Sequence, residues 1–278
     1  MSRVGRRTLN EKYLLGEEIG KGAYGRVFKG VDLQNGDIVA IKQVSLENIP
    51  SEELGTIMLE IDLLKMLRHR NVVRYLGSFK TRNHLYIILE FVEGGALSSA
   101  IKPSKFGALP ESLAAMYIAQ VLEGLVYLHE QGVLHRDIKA ANILVTKEGT
   151  AKLGDFGVAT KLTEGDKKMH SVVGSPYWMA PELIQEGQYQ CSADLWSLGI
   201  TAIELAQQYP PLWEVKPAVR AVTEPNRAVS QRWGQLMSMK TSPMFSHSVM
   251  ASPRVPNTIR RAVVRSTSRE CRLSRRRR

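Results

Sequence analysis

The sequence predicts an α+β protein with two lobes, in which a small antiparallel β-sheet lobe with one main helix precedes a larger helical lobe. Short β-type runs separated by turn residues fill much of residues 13–92, and long helical patterns occur between residues 110 and 206. A glycine-containing joint at Glu93-Gly94-Gly95 separates these two parts. We find no internal repeat, so the chain is not of a repeat architecture.

The composition is typical of a globular protein, because 44% of the 278 residues are hydrophobic and 23% are charged. This excludes disorder throughout the chain. The chain contains two cysteines, Cys191 and Cys271, and its first twelve residues lack the apolar run of a signal sequence. No stretch approaches the roughly 18 apolar residues of a membrane span. We therefore expect a cytoplasmic protein in a reducing compartment, with no membrane partner.

The net charge of +11 originates in the last part of the chain. Residues 1–211 contain 23 Lys+Arg and 24 Asp+Glu, whereas residues 212–278 contain 15 and 3. This composition favours a disordered, basic Ser/Arg-rich tail over 212–278, because it buries too little apolar surface to offset the entropy of ordering. We favour a solvated tail over one that binds nucleic acid. A nuclear import signal at 274–278 is an open alternative.

Three runs at the start of the first lobe predict antiparallel strands, namely YLLGEEIG (13–20), RVFKGVDL (26–33) and DIVAIKQV (37–44). The Asn35-Gly36 pair between the second and third runs predicts a type I′ hairpin turn, because both central positions of that turn require a positive φ.

A helix and two more strands complete the first lobe. The segment IMLEIDLLKML (57–67) has apolar residues at helical spacing, which predicts an amphipathic helix. The runs NVVRYLGSF (71–79) and HLYIILEF (84–91) predict the two strands.

The second lobe begins with helical sequence. Pro110 and Glu111 suit the first turn of a helix that continues to about Glu130. Its apolar side is Leu113, Tyr117, Val121, Leu125 and Leu128. The later segment DLWSLGITAIELA (194–206) is apolar nearly all round, which predicts a helix enclosed by others at the centre of a core.

The string GKGAYG, from Gly20 to Gly25, has the GxGxxG spacing of a phosphate-binding loop. In a dinucleotide fold the third glycine opens a helix, whereas here a strand follows the preceding strand. The context therefore favours a glycine flap over phosphates. Lys42, in the strand sequence VAIK, can reach phosphate oxygens, and Glu60 on the predicted helix can orient it.

The densest cluster of polar residues is HRDIKAAN (135–142), followed 13 residues after Asn142 by Asp155-Phe156-Gly157. Transfer of a phosphoryl group requires metal ions that neutralise charge and a carboxylate that orients the attacking hydroxyl. Asp155 and Asn142 supply the hard oxygen ligands that Mg²⁺ prefers. Asp137 is then left to accept the hydroxyl proton.

The motifs IGKGAYGRV, VAIK, HRDIKAAN, DFG, SPYWMAPE and DLWSLG occur in this order, and the sequence resembles eukaryotic protein kinases. The resemblance implies the two-lobed kinase fold and ATP- and Mg²⁺-dependent phosphorylation of protein serine or threonine residues. It implies that Asp137 is the catalytic base, that Lys139 contacts the γ-phosphate, that Lys42 holds the other phosphates, and that Asn142 and Asp155 bind the metal.

The resemblance also implies an ATP-binding set in which Leu89 is the gatekeeper and the backbone of Glu90 and Val92 meets adenine. The full set is Ile19, Gly20, Lys21, Gly22, Ala23, Tyr24, Gly25, Arg26, Val27, Ala40, Lys42, Glu60, Leu89, Glu90, Val92 and Leu144.

The activation segment implied by the resemblance runs from residue 155 to residue 182. Its candidate phosphate acceptors are Thr160, Thr163, Ser171 and Ser175. Because Arg136 precedes the base, we expect a phosphate in this segment to pair with that arginine. We favour Ser171 as the switch and regard Ser175 as structural.

Within the superfamily, two segments resemble sequences of the Ste-type group, in particular those of epsilon-type MAP kinase kinase kinases and septation-initiation kinases. These segments are KYLLGEEIGKGAYGRVFKG and HSVVGSPYWMAPE. The resemblance implies a MAP-kinase-type cascade, with a protein partner that could be a downstream kinase. DLWSLGITAIELA also resembles the Ste20-like branch, which leaves the tier of the cascade open.

We expect an extension at residues 1–12, a kinase domain at 13–211 and the basic tail thereafter. The domain divides into an N-lobe (13–89), a hinge (90–95) and a partial C-lobe (96–211), which we expect to be incomplete because kinases continue with three further helices. The alternative function is a catalytically weak or inactive nucleotide-binding scaffold whose tail binds nucleic acid or directs nuclear import.

Overall fold

The computed structural model describes residues 7–22, 25–47, 61–62, 64–102, 107–156, 160–161, 175–180, 183, 191–211 and 213–214. Within them an antiparallel sheet comes first and a group of helices follows. The predicted α+β class with two lobes is confirmed. Apart from residues 213–214, the predicted tail lies outside the described residues.

Six strands form the sheet of the first lobe. They are β1 (Arg7–Leu9), β2 (Tyr13–Gly22), β3 (Gly25–Asp32), β4 (Ile38–Ser45), β5 (Tyr75–Lys80) and β6 (His84–Glu90). Their order is β1-β2-β3-β4-β6-β5, with antiparallel pairing throughout. Five of them match the predicted runs. Strand β1 lies in the predicted extension at residues 1–12.

The connection between β3 and β4 differs from the predicted turn. Gly36 has a φ of 79°, but Asn35 is not in the left-handed region. Side chains hold a longer loop instead, because the N–H of Asp37 donates to Oδ1 of Asn35 at 3.0 Å and the N–H of Gln34 donates to Oδ1 of Asp32 at 2.9 Å. The type I′ prediction at Asn35-Gly36 is therefore wrong.

A tight turn with positive φ at both central positions occurs in the three-residue connection between β1 and β2. Asn10 and Glu11 have φ values of 49° and 53°, and the N–H of Lys12 donates to the carbonyl of Leu9 at 3.1 Å. This is the pattern of a type I′ turn. The turn allows β1 to pair antiparallel with β2.

Alternate residues of β4 face opposite sides of the sheet. The outer side buries Val39 and Ile41 with Leu9, Tyr13, Tyr86 and Ile88. Val44 of the same strand belongs instead to the main core, which is shared with the second lobe. Lys42 has the same parity as Val44, so its side chain lies on the face toward the second lobe.

Residues 61–62 and 64–66 are helical and belong to the predicted helix over 57–67. Ile61 and Leu64 are buried, and so is Leu67 immediately after the helical residues, as the predicted apolar spacing requires. Glu60 and the residues before it back to 48 lie outside the described part of the chain.

The second lobe contains the helices α1 (Leu97–Ala100), α2 (Glu111–Glu130) and α3 (Cys191–Gln207). Helix α2 starts and ends where the sequence predicts, and its Val121, Leu125 and Leu128 are fully buried. It packs against α3 in the main core. None of the described helices is both long enough and apolar enough to cross a lipid bilayer.

Helix α3 is less uniformly apolar than predicted. Asp194, Ser197, Thr201 and Glu204 are all buried, and they recur at intervals of three, four and three residues. This spacing places them along one side of the helix. The helix is central to the core, as predicted, but one buried side of it is polar.

Short strands and one turn of 3₁₀ helix lie between the two long helices. These are β7 (Val133–Leu134), the 3₁₀ turn (Ala140–Asn142), β8 (Ile143–Val145), β9 (Ala151–Leu153) and β10 (Thr160–Lys161). Strands β8 and β9 form a hairpin, and β10 pairs with β7. The N–H of Leu153 donates to the carbonyl of Asn71, and its carbonyl accepts from the N–H of Val73, both at 2.8 Å. These bonds join the hairpin to the first lobe.

Candidate active site

Lys42 reaches from the sheet to Asp155 at the edge of the second lobe. In the sheet register it lies between Val27 of β3 and Ile87 of β6. Its Nζ is 3.3 Å from Oδ1 of Asp155. The Lys42 side chain is 13% exposed and that of Asp155 is 51% exposed. The cation is therefore enclosed, whereas the carboxylate remains open to a ligand.

Asp137 lies at the centre of a group of polar side chains in the loop after β7. Its Oδ2 accepts from Nζ of Lys139 at 2.7 Å and from Nδ2 of Asn142 at 2.8 Å. Its Oδ1 accepts from the hydroxyl of Ser175 at 2.8 Å and from the N–H of the same residue at 3.2 Å. The structure thus brings three predicted catalytic residues and one predicted activation-segment residue into direct contact.

These contacts determine the charge of Asp137. Burial would raise the pKa of its carboxyl group, but the Lys139 ammonium and the hydrogen bonds from Ser175 and Asn142 hold the pKa below its usual value. Asp137 is therefore ionised at neutral pH and able to accept a proton from a neighbouring hydroxyl.

The buried carboxylate of Asp194 on α3 fixes the backbone of this loop. It accepts from the N–H of His135 at 3.0 Å and from the N–H of Arg136 at 2.8 Å, and it contacts Nε2 of His129 at 2.8 Å. Arg136 has a φ of 70°, a conformation that persists only when its surroundings enforce it. Asp194 supplies that enforcement immediately before Asp137.

Asp194 and His129 stabilise each other's charge. Burial would raise the pKa of Asp194, but the contact with His129 and the backbone donors hold it below its usual value. Burial would likewise lower the pKa of His129, but its hydrogen bonds to Asp194 and Cys191 raise that pKa to about 9. This is a buried ion pair beneath the loop.

Glu204 on α3 connects the loop to the segment that contains Ser175. Its Oε2 accepts from the N–H of Ala140 at 3.0 Å and from Nε1 of Trp178 at 2.9 Å. Burial raises the pKa of this carboxyl group, although both donors act in the opposite direction. The hydroxyl of Ser197 also donates to the carbonyl of Trp178 at 2.8 Å. The polar side of α3 therefore anchors both halves of the site.

The predicted phosphate loop lies at the turn between β2 and β3. Gly20, Lys21 and Gly22 end β2, and Gly25, Arg26 and Val27 begin β3, with Gly22 opposite Gly25. A Cβ atom at Gly25 would collide with the carbonyl of Gln43, so this position requires glycine. A strand, β3, follows the glycine loop, as predicted, and not a helix. Ala23 and Tyr24 lie outside the described residues.

The predicted adenine-binding side chains come from both lobes. Val27 and Ala40 lie on neighbouring strands of the sheet, and Ala40 is opposite Leu89. Leu144 of β8 is bridged to Ala96 just after the hinge. Ile19 is 45% exposed. A small cavity behind this region is lined by Lys42, Leu64, Val73, Ile87, Leu89, Asp155 and Phe156.

A comparison with known families identifies this architecture. The family model described as "Protein kinase domain" matches residues 13–262. The chain belongs to the protein kinase family. The match extends past Pro211, whereas the alignments to individual relatives span 199 to 211 residues.

Several curated kinases are similar to this chain. "MAP3K epsilon protein kinase 1" of Arabidopsis thaliana is 67% identical over 211 residues, which is 76% of this chain and 15% of that protein. "Cell division control protein 7" of Schizosaccharomyces pombe is 53% identical over 203 residues, or 73% of this chain and 19% of that protein. "Cytokinesis protein sepH" of Aspergillus niger is 52% identical over 205 residues, or 74% and 15%. The predicted resemblance to epsilon-type and septation kinases is confirmed.

The chain therefore spans about a sixth of the length of the curated relatives it matches first, since the aligned part is 15 or 16% of each.

The predicted activation segment of the kinase is described only in part. Thr160 lies in β10, paired with Leu134 of β7. Ser175 contacts Asp137 and Lys139, and the structural role predicted for it stays a prediction. Thr163 and Ser171, the favoured switch, lie outside the described residues, as does Glu60, the predicted partner of Lys42.

The residues predicted to bind metal suit a hard cation. The amide nitrogen of Asn142 donates to the backbone carbonyl and to Oδ2 of Asp137, so its amide oxygen is the atom available as a ligand. The N–H of Gly154 donates to the carbonyl of Asn142 at 2.9 Å, which places Asn142 beside the residue before Asp155. One amide and one carboxylate oxygen are the ligand types that Mg²⁺ prefers.

The kinase motifs do not point to the residues of α3 that support the site. Asp194, Ser197, Thr201 and Glu204 form the polar stripe described above, and His129 completes it from α2. The stripe was visible in the sequence, because polar residues at helical spacing in an otherwise apolar helix indicate buried hydrogen bonds.

Proposed function

We propose that this chain transfers the γ-phosphoryl group of ATP to serine or threonine hydroxyls of a protein substrate. The observation that carries the proposal is the carboxylate of Asp137, oriented by Lys139 and Asn142 and already accepting a hydrogen bond from the hydroxyl of Ser175. A substrate hydroxyl that approaches the same carboxylate would be oriented in the same way. The low pKa of Asp137 keeps it ionised for that purpose.

The other residues would bind and position the nucleotide. The glycine loop at the turn from β2 to β3 would cover the phosphates, and Lys42 would hold them by charge. Lys139 would stabilise the charge on the phosphoryl group as it is transferred. Asn142 and Asp155 would hold Mg²⁺, which neutralises phosphate charge when bound.

The relatives support a place in a MAP-kinase-type cascade. Since the aligned kinases bear names such as "MAP3K epsilon protein kinase 1" and "Cytokinesis protein sepH", we assign this chain a similar class of role. The protein substrate would then be a downstream kinase.

A paired assay on the purified chain tests the proposal. The first part measures the shift in melting temperature with ADP and Mg²⁺. The second measures transfer of labelled phosphate from ATP to a generic basic protein, followed by phosphoamino acid analysis. We expect a positive shift and label on serine or threonine. A shift without transfer would favour the inactive scaffold. The absence of both the shift and the transfer would overturn the proposal.

Asp137→Asn is the matched control because it retains the shape of the side chain and removes the base. Transfer should fall by about 10²-fold or more, whereas the ADP-induced shift should remain. Undiminished transfer in this variant would contradict the role assigned to Asp137.

A further inference from the structure

The side chain of Glu90, the last residue of β6, forms hydrogen bonds, whereas the sequence predicted only a contact of its backbone with adenine. Its Oε1 accepts from the N–H of Arg74 at 2.7 Å and from Nζ of Lys152 at 2.9 Å. Its own N–H donates to the carbonyl of Arg74 at 2.9 Å. The start of the hinge is thus attached to Arg74, immediately before β5, and to the second lobe through Lys152.

Lys152 lies on β9, in the hairpin beneath the predicted adenine site. It is directly opposite Leu144 in the β8–β9 register. Opposite residues of an antiparallel pair point to the same side of the hairpin, so Lys152 shares a face with a predicted adenine contact. Its side chain is 15% exposed and that of Glu90 is 21% exposed, which shields the ion pair from solvent.

The strand that carries Lys152 leads within three residues to Asp155. Leu153, the next residue, is fixed by backbone bonds to Asn71 and Val73. One ion pair therefore links the segment predicted to hold adenine with the strand that places a predicted metal ligand.

We propose that Glu90 and Lys152 are positioning residues that set the distance between the adenine-binding hinge and Asp155. The inference rests on the proposed function, because it assumes that ATP and Mg²⁺ occupy this site. Neither side chain needs to touch the nucleotide. The pair acts by holding two parts of the nucleotide site in register, so its loss weakens nucleotide binding more than it slows the chemical step.

The test compares the full-length chain with Lys152→Met, Glu90→Gln and the double variant. The measurements are the dissociation constant for ADP with Mg²⁺, the KM for ATP, kcat, and the melting temperature. We expect each single variant to raise the dissociation constant and KM by about 3- to 10-fold with kcat changed less than about twofold. The double variant should bind ADP no more weakly than the weaker-binding single variant, because each single substitution already removes the same interaction.

Lys147→Met is the matched control. Lys147 lies in the loop of the same hairpin, and its Nζ is 3.9 Å from Glu148 in a pair whose side chains are 74% and 64% exposed. Exposed pairs of this kind contribute little, so this variant should bind ADP and turn over ATP as the unmodified chain does.

Three results would overturn the inference. One is a lower melting temperature with unchanged ADP binding and KM, which would make the pair merely structural. Another is a higher kcat, which would mean that the pair restrains the lobes. The third is an additive loss in the double variant. If the unmodified chain itself binds no ADP, the proposed function fails; if it binds and the variants bind equally, only this inference fails.

Discussion

Lys42 and Asp155 are 113 positions apart in the sequence, yet the ammonium of one lies 3.3 Å from the carboxylate of the other. Lys42 extends from β4 of the sheet, and Asp155 lies two residues after the end of β9. Their contact spans the cleft between the lobes. It brings a charge suited to phosphate next to a ligand suited to Mg²⁺.

Ser175→Ala and Ser175→Thr form a matched pair that tests the hydroxyl bound to Asp137. Alanine removes the donor to Asp137 and the acceptor of Lys139, whereas threonine retains both. We expect kcat to fall by about tenfold in the alanine variant, the equivalent of about 1.4 kcal/mol, with the KM for ATP unchanged. Threonine should restore most of kcat. Equal activity of both variants would contradict this role for the hydroxyl.

Asp194→Ala should strongly destabilise the folded chain. The substitution leaves His129 without its carboxylate and leaves the N–H groups of His135 and Arg136 without their acceptor. Removal of one partner of a buried pair costs about 3 to 5 kcal/mol, a large part of a typical domain stability of about 5 to 15 kcal/mol. Urea denaturation measures the loss. A change below about 1 kcal/mol would show that Asp194 does not anchor the loop.

Stability should fall as the pH rises from about 6.5 to 9. The pKa of His129 is raised from 6.5 to about 9 in the folded chain, so its contribution is complete below pH 6.5 and is lost as the pH passes the folded value. The total loss is about 3 kcal/mol. The depressed pKa of Asp194 acts only in acid, outside this range. Denaturation at pH 6, 7.5 and 9 measures the trend.

The His129→Gln variant is the control for this pH dependence. It should lose most of the decline between pH 6.5 and 9. The thiol of Cys191 also contacts His129, so Cys191→Ser serves as a second control that should preserve the decline. A parallel decline in His129→Gln would assign the pH dependence to another group.

Glu204→Gln and Glu204→Ala should differ sharply. Burial raises the pKa of Glu204, so its charged form is costly, and glutamine avoids that cost while it still accepts from Ala140 and Trp178. We expect glutamine to be within about 1 kcal/mol of the unmodified chain and alanine to cost about 2 to 3 kcal/mol. Thermal denaturation distinguishes them. An alanine variant as stable as the unmodified chain would rule out an anchoring role for Glu204.

The strands and the long helix were predictable because local patterns encode them. Helix α2 shows its apolar spacing along twenty residues, and the residues of β4 alternate between the outer side of the sheet and the main core. The same pattern that defines β4 also directs Lys42 toward the second lobe. The motifs therefore indicate the position of the predicted site, and the alternation of side chains along β4 explains why Lys42 faces the second lobe.

Turn chemistry was less predictable. Asn35-Gly36 matches the preferred type I′ sequence, but the side chains of Asp32 and Asn35 hydrogen bond to nearby backbone groups and stabilise a longer loop. Asn10-Glu11 forms the tight turn although glutamate has no preference for positive φ. Here the pairing of β1 with the sheet decides the conformation.

Some contacts between distant side chains were not predictable, although the motifs had indicated that Lys42 and Asp155 share one site. The Glu90–Lys152 pair joins residues 62 positions apart through the packing of the hairpin against the first lobe. Its existence depends on tertiary geometry that no local pattern records. Asp194 is an intermediate case, because its place in a polar stripe indicates burial but not its partners.

The most direct test of the central claim is a calorimetric titration with a non-hydrolysable ATP analogue, with and without Mg²⁺. It compares the unmodified chain with Lys42→Met, Asp155→Asn and the control Lys147→Met. We predict a single bound nucleotide whose affinity rises with Mg²⁺, loss of most of that rise in Asp155→Asn, and weaker binding in Lys42→Met. An unchanged Mg²⁺-dependent affinity in both variants would contradict the claim that Lys42 and Asp155 share one metal-bound nucleotide.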